Sequence, residues 1–205
     1  MYRKDTKMMR KRIRFGACFL LVLLMVCGCG DKSILNLKEI ENDTLYVSKE
    51  GKLELADVEQ FDKSYYSDSE LKDFVKETIE DYNTQEEAGK VRLEDFSVKD
   101  QVAKVLLSFD SADTYEGFQG EKLKVLTSKE VESNLVLPES FVKATDGSTV
   151  GKDEVLAEKD LHYLIVEGVL DIQLDGTIVY YSDASLTGDN LIQTTGEQIA
   201  VIIYK

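Results

Sequence analysis

The chain has 205 residues, with 25 basic against 39 acidic side chains, a formal charge of −14, three cysteines, one histidine and no tryptophan. An acidic balance of this size excludes a binder of nucleic-acid backbones, which needs clustered Lys and Arg to neutralise phosphates. A single histidine, His162, excludes a two-histidine metal site and a histidine relay, so no cofactor is expected.

The chain opens on Arg3, Lys4, Lys7, Arg10, Lys11, Arg12 and Arg14, opposed only by Asp5, and continues into an uncharged apolar run from Phe15 to Gly28. About 14 helical residues at roughly 1.5 Å each reach about 21 Å, short of the roughly 30 Å of a bilayer core. Positive segment, short apolar segment and small closing residues together describe a secretory signal, which is set aside from fold reasoning. The end of that run, Val26-Cys27-Gly28-Cys29, resembles the lipobox of bacterial lipoproteins. The resemblance implies cleavage between Gly28 and Cys29 and thioether lipidation of Cys29. Acyl chains such as palmitate would then hold the protein on the outer face of the cytoplasmic membrane, because two or more chains anchor stably where one does not. The alternatives are an uncleaved anchor and a redox or metal pair of cysteines, although two cysteines alone cannot complete a zinc site. Cleavage removes seven basic residues and one acidic one, which carries the formal charge to about −20. It also leaves no thiol for disulfides, catalysis or metal ligation.

Residues 29–43, after the lipidated cysteine mostly GDKSILNLKEIEND, read as a tether; fully extended, those 14 residues reach at most about 48 Å. Ile34, Leu37 and Ile40 recur every third residue and offer an alternative in which the segment docks as a short helix, which would shorten that reach. A single extracytoplasmic domain is expected over 44–205, with a subdivision near residue 120 as an option. TLYVS and LELAD form a first hairpin. Ser67 and Glu70 form a capping box ahead of a helix whose apolar stripe, Leu71, Phe74, Val75, Ile79 and Tyr82, is expected to face the core and not a ligand groove. VRLEDFSV and VAKVLLSF follow as strands, with a phase change that predicts a bulge near Asp95. SADTYEGF is a short helix, so the first half reads β-β-α-β-β.

The second half is richer in strand. KLKVLTS, YLIVEG, VLDIQL and TIVYYSDAS are predicted strands, SKEVES a helical turn and DEVLAEKD a short helix, and Pro138 sits in a loop before FVKAT. Asp146-Gly147 is a turn, and Asp175-Gly176 between apolar runs predicts a hairpin. IAVIIY reads as a strand buried on both faces. The fold class expected is α+β, with antiparallel strands and one main amphipathic helix.

The chemistry the residues offer is sparse. His162 opens an apolar strand and suits a packing or rim role. Asp110, Asp113 and Glu116 lie in FDSADTYEG without the register of a calcium loop, and Asp113 suits a helix start. No phosphate-binding, zinc-protease or serine-hydrolase motif occurs. GKVRLEDFSVKD, DGTIVYYSD and the closing IIYK give the mature part a loose resemblance to small lipoproteins of Gram-positive anaerobes, which implies an extracytoplasmic α+β module and no activity. What remains is a tethered binding or interaction module, partnered by the membrane through Cys29 and by an envelope protein. Tyr65, Tyr66, Tyr180 and Tyr181 are candidate contacts, at least half of them expected in the core or on strand faces. The alternatives are a solute-binding transporter subunit, marked by a cleft near residue 120, and a hydrolase using two carboxylates.

Overall fold

In the computed structural model the described residues are 33–63, 65–85, 89–131 and 136–205. The signal segment, Gly28, Cys29 and the first tether residues lie outside them. Ser33–Lys205 is one compact unit. Its first half follows the expected order: β1 (Thr44–Val47), β2 (Leu53–Gln60), α1 (Asp68–Gln85), β3 (Val91–Lys99), β4 (Val102–Phe109) and α2 (Ala112–Gln119). The second half runs β5 (Leu123–Thr127), β6 (Ser140–Lys143), β7 (Thr149–Gly151), α3 (Lys152–Ala157), β8 (His162–Val166), β9 (Asp171–Leu174), β10 (Ile178–Ser182), β11 (Ala184–Leu186), β12 (Leu191–Thr194) and β13 (Ala200–Tyr204). It is a mixed, strand-rich fold of two sheets. One has the order β11-β12-β9-β1-β2-β4-β3 and the other β5-β8-β13-β10-β6-β7.

Period-two alternation explains why both sheets bury two faces. Leu45, Leu53, Leu55, Leu107 and Ile172 of the seven-stranded sheet meet Leu164, Val166, Ala200, Ile202 and Tyr204 of the six-stranded one in a shared core. Their alternates face outward and are covered. Tyr163, Ile165, Tyr180, Val201 and Ile203 pack beneath Leu137, Val155 and Leu161. IAVIIY is thus the doubly buried strand that its composition predicts: β13 lies between β8 and β10, with all five residues buried. Each such aliphatic side chain contributes about 1.5–3 kcal/mol on full burial.

The antiparallel expectation needs one correction, because β1 pairs with β9 in parallel. That pairing also carries β9, β11 and β12 of the second half into the first half's sheet, so residue 120 falls inside one unit instead of between two. The Asp175-Gly176 expectation is corrected too. β9 and β10 belong to different sheets, so this turn is a link between sheets and not a hairpin. Asp175 N–H donates to Val47 O at 2.9 Å and Thr177 N–H to Lys205 O at 2.8 Å, tying the link to both sheets. TIVYYSDAS likewise breaks at Asp183, whose φ of 54° is left-handed, and the chain switches sheets between β10 and β11. Such corner-turning breaks are how strands serve two packed sheets.

The bulge predicted near Asp95 is present as a register shift between Leu93 and Asp95. Asp146-Gly147 turns between β6 and β7, with Gly147 at φ 72° and Asp146 Oδ1 accepting from Ser148 N–H at 2.9 Å. In α1, Glu70 N–H donates to Ser67 Oγ at 3.4 Å, and Asp68 and Glu70 in the first turn favour the positive end of the helix dipole. Farther along, Asn83 Oδ1 accepts from Val91 N–H at 2.9 Å while its Nδ2 donates to Val91 O at 2.8 Å, so one side chain stands in for a neighbouring strand at that point of β3.

The tether expectation is corrected from Ser33 onward. Ile34 and Leu35 N–H groups donate to the Glu54 carboxylate at 3.0 and 2.9 Å, and Lys104 Nζ donates to Ile40 O. Leu35 and Leu37 are buried on Tyr46, Ala56 and Leu106, the outer face of the seven-stranded sheet. This is the docking alternative, achieved by a turn (Glu39 N–H to Asn36 O, 2.9 Å) and not by a helix. The physical reason is the apolar outer face itself, which water would otherwise reach.

Candidate functional site

The most distinctive surface feature lies where β2 ends and α1 begins. Phe61 stacks on Tyr66 with ring centroids 4.7 Å apart, and Tyr65 meets Tyr66 edge-on at 5.0 Å. Tyr65 is 76% exposed and Phe74 65% exposed. Phe74 was expected to face the core with the rest of its stripe; only Ile79 of that stripe is fully buried, and Leu71, Val75 and Tyr82 are half-buried. These aromatics, with Leu71, Glu59 and Glu70, line a groove of about 450 Å³. Rings of this size are costly to leave in water, and exposed aromatic clusters mark interaction surfaces more than scattered apolar residues do.

The four candidate tyrosines divide. Tyr65 and Tyr66 are brought together in the groove. Tyr181 is half-buried, and Tyr180 is 1% exposed, with its hydroxyl donating to Glu158. That hydrogen bond, together with burial, pushes the Tyr180 phenol up to about 12, so it serves packing. Phe61 was missed by the sequence reading. Its position at the mouth of a strand, four residues from two adjacent tyrosines, was the available signal.

A second depression, of about 370 Å³, adjoins the groove at Glu59 and holds Asp43, Asp57, Glu121 and Tyr115. Burial first, then the charges of Asp43 and Glu59, push the Asp57 carboxyl up to about 6, with a hydrogen bond to Asp43 adding to the shift. Asp43 Oδ1 also accepts from Val58 N–H at 2.8 Å, so this aspartate pins the start of β1 to β2. Tyr115 is buried and donates to Glu121 Oε2 at 3.3 Å; burial and that carboxylate push its phenol upward. Two carboxyl groups in direct hydrogen bond are too close for glycoside hydrolysis, which needs about 5–9.5 Å between them.

Two further depressions are lined in part by His162, and the larger is about 610 Å³. His162 is half-buried and stacks on Tyr204 at 5.3 Å. Ser128, in the same depression, donates its hydroxyl to Leu161 O at 3.0 Å and accepts from Leu161 N–H at 2.9 Å, so it is engaged with backbone and not poised as a nucleophile. Asp113 lies in the first turn of α2, beside the Ser111 cap, and Asp110 pairs with Arg92 at 2.6 Å. Burial alone would raise the Asp110 carboxyl, but Arg92 and the Lys90 N–H outweigh it and hold it below the usual range. Among the described residues, no group of three or more His, Cys, Asp or Glu is placed to hold a metal ion. No described helix is long and apolar enough to cross a membrane.

Compared with family models, with curated proteins and with solved structures, the chain matches none. The site's own chemistry is therefore the guide to function.

Proposed function

We propose that the chain is a lipid-anchored, extracytoplasmic interaction module that docks a partner on the groove of Phe61, Tyr65, Tyr66 and Phe74. The observation that carries this reading is a cluster of four aromatic rings, Tyr65, Tyr66 and Phe74 exposed and Phe61 half-buried, beside a well-packed core. The lipobox-like Val26-Cys27-Gly28-Cys29 supplies the anchor. Tethering raises the groove's effective concentration for envelope neighbours without any added contact. The transporter-subunit alternative loses support because the strands of both halves interleave in one unit and form no pair of lobes.

In-cell crosslinking of the full-length chain tests the proposal, with Cys29→Ala and Tyr66→Ala as comparisons. The expected result is a discrete captured protein, lost with Cys29→Ala and strongly reduced with Tyr66→Ala. Capture unchanged by both substitutions refutes it.

A further inference from the structure

Resting on the interaction-module reading, we propose that the groove's partner is a basic segment of a polypeptide, whose lysine or arginine side chains lie across the Phe61, Tyr65 and Tyr66 rings. Aromatic faces carry negative potential and attract ammonium and guanidinium groups, and the attraction grows as the cation is desolvated. Among the described residues the groove's charged lining is acidic: Glu59 and Glu70 contribute carboxylates, and no described lysine or arginine lines it. Glu59 continues into the adjoining depression, whose lining adds Asp43, Asp57 and Glu121 and again holds no described lysine or arginine.

Two lysines near the groove in sequence have other contacts. Lys63 pairs with Asp62 at 3.1 Å, and Lys72 lies over the Phe96 ring at 5.5 Å. A cationic side chain arriving from outside therefore meets the Glu59 and Glu70 carboxylates beside a ring surface that accepts its aliphatic stem. Long basic side chains suit this pairing of apolar stem and charged head.

Position and charge together favour a polypeptide over a bilayer. The segment that leads toward the proposed anchor docks at Glu54, through Ile34 and Leu35. Gln60, at the groove, lies six residues farther along β2, about 20 Å at the usual strand rise. The rings therefore lie well away from the point where the docked segment meets β2, and the groove's carboxylates repel anionic headgroups. The absence of tryptophan also removes the preferred platform for sugar rings.

The test uses the full-length chain in a neutral detergent at near-physiological salt. The probe is a fluorescein-labelled octapeptide of alternating lysine and glycine, read by anisotropy, with the glutamate–glycine peptide as its counterpart. Expected is saturable binding of the lysine peptide alone, weakened about tenfold by Tyr66→Ala and about three- to tenfold by Glu70→Gln. Tyr66→Phe should keep most of the affinity, and Glu197→Gln, an exposed acid outside the groove, should change it less than twofold. Both aromatic and acidic positions are exposed, so these variants retain the fold, which a cooperative melt checks.

Equal losses from Glu197→Gln and Glu70→Gln would mean that only the general acidic field is felt, and would overturn the proposal. So would the absence of lysine-peptide binding. If phosphatidylglycerol vesicles or chitotetraose bind instead, and lose affinity with Tyr66→Ala, the groove is a docking site with the wrong partner chemistry assigned. If the crosslinked partner survives Tyr66→Ala unchanged, the docking reading itself fails.

Discussion

Asp57→Asn is the substitution whose effect on stability can be followed furthest from the structure. Asp57 is half-buried, hydrogen-bonded to Asp43 and faced by Glu59, Glu121 and the Tyr115 hydroxyl, and its carboxyl is raised from 3.8 to about 6. Because the folded value lies above the unfolded one, the folded chain holds the extra proton between those pH values. Its stabilising contribution is complete at low pH and disappears as pH rises through about 6. Above that, an ionised Asp57 sits among like charges. At about 1.36 kcal/mol per pKa unit the full effect is about 3 kcal/mol, and solvent screening at a half-exposed site reduces it to about 1–2 kcal/mol. The amide of Asp57→Asn stays neutral and can still donate to Asp43. The variant should therefore match the parent at pH 4.5 and exceed it by about 1–2 kcal/mol at pH 8, roughly 3–6 °C in Tm for a domain of this size. Urea titrations of both proteins at the two pH values measure this directly. A gain of the same size at both, or a loss at pH 8, would refute the electrostatic account of this pocket.

Tyr204 offers a contrast with Tyr180. The Tyr204 hydroxyl is buried with no hydrogen-bond partner among the described residues, so Tyr204→Phe should be neutral or stabilise by up to about 1 kcal/mol. Tyr180→Phe, which leaves Glu158 without its donor, should cost about 1–2 kcal/mol; chemical denaturation of the pair reads both. Gly176→Ala should cost about 2 kcal/mol or more, because a Cβ there would stand 2.9 Å from both Lys205 O and Tyr204 Cδ2, and a thermal melt within a degree of the parent would contradict it. Leu37→Ala should cost about 2–4 kcal/mol and speed amide exchange across residues 33–43, and unchanged exchange would show that the docked segment is not held by its leucines.

Legibility differed by the range of the forces involved. The α1 start, the bulge at Asp95 and the Asp146-Gly147 turn were readable because capping, pleat phase and left-handed backbone are decided within a few residues. β13 was readable because a run of apolar residues with no polar alternate has to be covered on both sides. The role of Asp175-Gly176 was not, since a tight turn has the same local chemistry whether its two strands pair or part to different sheets. The short β12 (LIQT), with an exposed Leu191 at its head, carries too little apolar signal to stand out from its loop. For the candidate site, Tyr65 and Tyr66 were identifiable as adjacent rings beside a helix cap. Phe74 was assigned to the core because helical spacing says which residues share a face, while how far the covering sheet extends under that face is a tertiary matter. The pairing of Asp43 with Asp57 was invisible for a related reason: it depends on the register of β1 against β2 and on the docking that precedes it.

The parallel pairing of β1 with β9 also governs the speed at which the molecule can assemble. Asn42 Nδ2 donates to Asp171 Oδ2 across 129 residues, at the edge of that pairing. Closing a flexible loop of that length costs about 4 kcal/mol of chain entropy before the pairing returns anything. Topologies ruled by such distant contacts fold in milliseconds to seconds, slower than chains with local pairings. Until β9 arrives, the TLYV edge of β1 remains open to any other strand it meets. A chain that crossed a membrane before folding would be exposed to that hazard on the far side, so the waiting edge, more than the finished sandwich, sets how much protection it needs in transit.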